Sequence, residues 1–183
     1  VNDITLFMEG YKPALYDTVM SKRFMGWLPQ LQEYPYIDEG INLIPDVKFY
    51  LFFQTENQKR DFQSKVSKFA VPSIEFHRLL GQTLGYPPKA VDFYIRCEQE
   101  PSLKPLKVGM HYQGVSCNGS VYDLIDNCNW LWDTYSSKDL PNEPLQVRIG
   151  YNMYSAGWGD IERIKEIQQI AFSELPISEI TVK

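Results

Sequence analysis

Val121, Leu124, Ile125, Cys128, Leu131, Trp132 and Tyr135 fall at offsets of 0, 3, 4, 7, 10, 11 and 14, a repeat near 3.6 residues that fits an α-helix with one buried side. Such a helix needs an apolar layer to lie on. Ser120 stands where an N-cap is expected, and Asp123 lies near the positive helix end. The stretch just upstream, Leu106 to Val115, interleaves aromatic and β-branched residues with Gly and Gln and reads as a strand.

The same order of strand then helix recurs twice. Val47 to Phe53 reads as a strand followed by Gln54, Thr55, Glu56 and Asn57, then by a charged helix through about Phe69 with Phe62, Val66 and Phe69 at helical spacing. Leu145 to Tyr154 is the third strand, and its helix begins near Asp160 with Ile161, Ile164, Ile167 and Ala171 inward. Three such units predict an α/β fold with substantial parallel character, or an α+β fold with a mixed sheet. Ile177, Ile180 and Val182 alternate with polar residues at the end and suit an edge strand.

A chain of 183 residues fits one globular domain. Residues 1–45 form an N-terminal helical region and an aromatic connector, and residues 46–183 form the α/β core. Residues 13–25 read as a helix opened by Pro13, with Leu15, Tyr16, Val19 and Met20 on one side. The insert 73–98 holds a helix, a corner and a helix. Ser73 caps the first, Gly85 stops it, and Pro87-Pro88 restarts the chain. Its second helix, KAVDFYIRCEQE, has too few basic and amide residues to read DNA.

Charge excludes further classes. The net charge is −5, and the eighteen Lys and Arg are scattered, so no basic stripe faces a nucleic acid. The longest apolar run, Phe49 to Phe53, is far too short to cross a membrane, and the first seventeen residues lack the basic and apolar regions of a signal peptide. Cys97, Cys117 and Cys128 form no CxxC pair, and His77 and His111 are the only histidines. A disulfide framework, a zinc site and a bound metal are therefore not expected, and the cytoplasm is the simplest compartment.

In a parallel sheet, ligands gather at the carboxyl ends of strands. That rule nominates the loops at 54–57, 116–120 and 155–160, with Thr55, Asn118, Ser155 and Trp158 as ligand-binding candidates. Trp158 between Gly157 and Gly159 can offer its indole for stacking. The GxGxxG spacing is missing, and no cofactor is implied. His111 and Cys117 form a weak catalytic pair, as base and thiolate. In a straight strand, six residues at ~3.3 Å each set them roughly 20 Å apart, so the pair requires the chain to turn back. Asp123 and Asp126 flank the apolar stripe and read as helix-surface acids.

The expectation is a small soluble binding or regulatory protein recognising a protein partner or a small polar ligand through strand-end loops and exposed aromatics. The alternative is a small α/β hydrolase or transferase with its site near His111, Cys117 and Trp158.

Overall fold

The structure, a computed structural model, describes residues 2–175. The edge strand expected around Ile177 to Val182 lies outside the described residues. The chain mixes helices with two small antiparallel sheets, and its packing gathers into two compact units, Val1–Gly85 and Tyr86–Lys183. The passage from one unit to the other falls inside the helix corner read from the sequence.

The first unit is built on β3 (Phe49–Phe53), whose five residues are all buried. It pairs antiparallel with β1 (Ala14–Thr18) on one side and β2 (Tyr36–Ile37) on the other. Alternate residues of β3 point to opposite faces. Tyr50 and Phe52 join Leu15 against Ile4 and Phe7 of α1 (Asp3–Met8) and Phe24 and Leu31 of α2 (Lys22–Leu31). On the other face Phe53 meets Phe62 of α3 (Glu56–Val66) at 5.6 Å between ring centroids, and Phe49 stacks on Tyr16 at 5.0 Å. The sheet is thus covered on both sides. Helix α4 (Ile74–Thr83) packs with α3, and Ser73 caps it by accepting from the Phe76 N–H at 3.1 Å.

The second unit holds a four-stranded sheet in the order β5-β4-β6-β7. Its members are β4 (Lys107–Tyr112), β5 (Val115–Ser120), β6 (Leu145–Ile149) and β7 (Asn152–Ala156). Helices α5 (Pro88–Gln99) and α6 (Leu124–Tyr135) pack on β4 and β5, while α7 (Ile161–Glu174) packs on β6 and β7. The stripe of α6 is buried at Leu124, Cys128, Leu131, Trp132 and Tyr135, as its spacing requires. It approaches β5 closely at Gly119, where a Cβ would come within 2.5 Å of Asn127 Nδ2 and 2.9 Å of Met110 Cε.

Several expectations are corrected. Every pairing is antiparallel, so the parallel character inferred from three strand-helix units is absent from the described residues. The second and third strands are each a hairpin. At Gln113-Gly114 both central residues have positive φ, 47° and 74°, the backbone of a tight turn whose twist suits paired strands. Gln113 tolerates this conformation while buried, its Nε2 donating to the Pro141 carbonyl at 2.5 Å. The helix expected over residues 13–25 is instead β1 followed by α2, because pairing with β3 buries Ala14 and Leu15 completely enough to outweigh local pattern.

Candidate functional site

Among the described residues of the second unit, the helices cover only one face of the sheet. Val108, Met110 and Tyr112 of β4 are buried toward them, as are Leu145, Val147 and Ile149 of β6. The period of two then sends Lys107, Gly109 and His111 to the opposite face, joined through the register by Ser116 and Asn118, Gln146 and Arg148, and Met153 and Ser155. This uncovered face carries a shallow recess of ≈ 410 Å³ that includes Gly109, His111, Ser116, Asn118, Gln146 and Arg148 in its lining.

Two close pairings shape the recess. A Cβ on Gly109 would sit 3.3 Å from Nε and 3.4 Å from Cβ of Arg148, so the guanidinium arm lies across β4 where no side chain stands in its way. The hydrogen bond between His111 Nδ1 and Ser116 Oγ, 2.7 Å long, joins directly opposed residues of the hairpin. None of the four strands contains Asp or Glu, whereas they supply Lys107 and Arg148. A chain with 23 acids and 18 Lys and Arg has therefore kept acids off the strands of its open sheet.

The catalytic pair proposed from sequence is split between the two faces of the sheet, although both residues border the recess. The chain does turn back at Gln113-Gly114, but the register sets His111 opposite Ser116 and Cys117 opposite Met110. Cys117 shares its face with Val115 and Gly119, and Gly119 abuts Asn127 of α6, so the thiol points to the helices and the imidazole away from them. Burial pushes the Cys117 thiol up to about 12 and raises that of Cys128 as well. Both are poor sources of thiolate near neutral pH. Ser116 and His111 are within the reach of a nucleophile and its base, yet no carboxylate orients the ring among the described residues, and the strands offer none.

The other candidates occupy distinct places. Thr55 belongs to the first unit and caps α3 in a reciprocal box, its hydroxyl accepting from the Gln58 N–H at 3.3 Å while Gln58 Oε1 accepts from the Thr55 N–H at 3.0 Å. Asn118 and Ser155 lie within β5 and β7, not in loops, and both belong to the open face. Trp158 is 61% exposed in the turn before α7, whose cap is Asp160 accepting from the Arg163 N–H at 3.1 Å. Asp123 and Asp126 both meet Lys89 of α5, at 3.4 and 2.5 Å, which accounts for that carboxylate pair. No group of three or more His, Cys, Asp or Glu is placed to hold a metal ion among the described residues.

Gln146, Arg148 and Gly109 were not singled out from sequence. The signal was present in LQVRI and KVGMHY, where apolar and polar residues alternate strictly enough to mark strands with one wet face. In the first unit, Lys12 is 4% exposed, and burial lowers its pKa against the opposing pull of Asp3 and Asp17. A desolvated amine can act as a nucleophile, but this one is closed to substrate.

Comparison of the chain with protein-family models, with curated proteins and with solved structures finds no match. No helix among the described residues is long and apolar enough to cross a membrane.

Proposed function

We propose that this chain is a binding protein whose recognition surface is the open face of the second unit's sheet, where it takes a protein partner or another polar ligand. The observation that supports this reading is a sheet face that no described helix covers and whose strands carry no acid, with Arg148 laid over Gly109 and His111, Ser116, Asn118 and Gln146 around it. These side chains supply directional donors and acceptors to a partner, while the covered face holds the strands in place. Binding is favoured over catalysis because the nucleophile-base pair on this face, Ser116 and His111, lacks an orienting acid among the described residues and the Cys117 thiol is buried.

The test is selection of displayed random peptides against the full chain. Enriched peptides are expected to bind the Asn118→Ala/Arg148→Ala variant at least about tenfold more weakly, the size of effect that hot-spot truncation produces. Peptides that hold the variant as tightly as the wild type place recognition elsewhere and sink the reading.

A further inference from the structure

The open face also defines what its partner must carry. Resting on the reading of that face as the recognition surface, we propose that it docks an acidic segment of a partner protein, with carboxylates set against Arg148 and Lys107.

Charge complementarity carries the first step. Lys107 and Arg148 are contributed by adjacent strands, both are exposed, and no ion pair engages either among the described residues. Elsewhere on the second unit Lys89 meets Asp123 and Asp126, Arg163 meets Glu166 and Lys165 meets Glu162, while no ion pair engages Arg96, Lys104 or Lys138 among the described residues. What distinguishes Lys107 and Arg148 is their place, on a sheet whose strands contain no acid. A guanidinium presents a planar fork that fits a carboxylate through two hydrogen bonds.

The shape of the face selects the source of those carboxylates. A small ligand is ordinarily held in a site that buries most of its surface. Here the recess is shallow and the polar groups spread over four strands, so each contacts one point on a broad object. Met153 stands at its β7 side, 55% exposed, and gives an apolar contact for a peptide backbone or side chain. A nucleic acid is disfavoured by two fixed cations on a chain of net charge −5. An acidic peptide needs only local complementarity, which steers approach and selects the partner by sign.

The test uses a fluorescently labelled oligoglutamate peptide and fluorescence anisotropy on the full chain. The wild type is expected to bind it saturably, with affinity falling as salt is added, and to ignore an oligolysine peptide. Arg148→Glu is expected to weaken binding at least about tenfold and Lys107→Glu to weaken it less, since a reversed charge repels what the native one attracted. Circular dichroism of each variant checks that the fold is retained. Absence of binding at low salt, or equal binding by both folded variants, overturns the proposal. Displacement of the peptide by inorganic phosphate alone also overturns it, because the site is then one for small anions. Among displayed peptides, binders that depend on Asn118 and Arg148 yet carry no acids overturn the acidic partner and leave the recognition surface standing. Binders that depend on neither residue overturn both.

Discussion

The two sheets of this chain use the same antiparallel pairing and end in different surroundings. In the first unit every residue of FYLFF is buried, because helices pack on one face and α3 with the ring of Tyr16 on the other. In the second, LQVRI buries Leu145, Val147 and Ile149 and leaves Gln146 half-buried and Arg148 exposed. A continuous apolar run needs two covering layers, and an alternating one needs only one. The first sheet is thereby committed to stability. The second keeps a polar surface on a supported frame, the arrangement recognition requires.

The largest expected effect is on the doubly covered sheet. Phe52 is fully buried among Phe24, Tyr36 and Tyr50, with ring centroids 6.0, 5.5 and 5.9 Å away. Phe52→Ala removes those contacts and leaves a space that β3, held on both edges, cannot close. The expected loss is about 3–5 kcal/mol, read as a lowered urea midpoint. A loss under about 1 kcal/mol would contradict tight packing on that face and erase the contrast between the sheets.

The second prediction concerns the two faces of the second sheet. Thiolate is the form that reacts with disulfide reagents, and burial moves the Cys117 thiol up to about 12. Its deprotonated fraction near neutral pH is therefore depressed, and rises only as the pH is brought toward that value. In the folded chain Cys117 is expected to label at least about a hundredfold more slowly than in urea, with Cys128 equally slow. Rapid labelling of Cys117 in the folded chain at neutral pH would mean that the covered face is open.

What the sequence disclosed follows the range of the interactions involved. The α6 stripe, the Ser73 cap, the stop at Gly85 and the restart at Pro88 are local, and they stand in the structure where spacing and φ preference put them. The hairpin at Gln113-Gly114 is local too, but Gln lacks the turn signal of Asn or Asp, and its conformation is supported by Pro141, twenty-eight residues away. Strand β1 depends on a partner about thirty-five residues downstream, so PALYD gave a helical pattern in isolation. The candidate site depended on the same missing information. His111 and Cys117 share parity along a straight strand, and only the fold-back between them places one on each face.

The smallest expected effect is the sharpest test of the open face. Asn118 and Arg148 are exposed, and neither is buried by the helices that hold the sheet. Arg148 still lays its methylene arm over Gly109, a contact that shields a little backbone and contributes a few tenths of a kcal/mol at most to folding. Asn118→Ala and Arg148→Ala should therefore each change unfolding free energy by less than about 0.5 kcal/mol, as surface substitutions do. Their sum should be additive unless the two side chains touch, which a double-mutant cycle in urea measures. A loss above about 1.5 kcal/mol for Arg148→Ala would show that the arm serves the fold as a covering layer. The second sheet would then be closed on both sides like the first, and weakened peptide binding by that variant would report stability instead of contact.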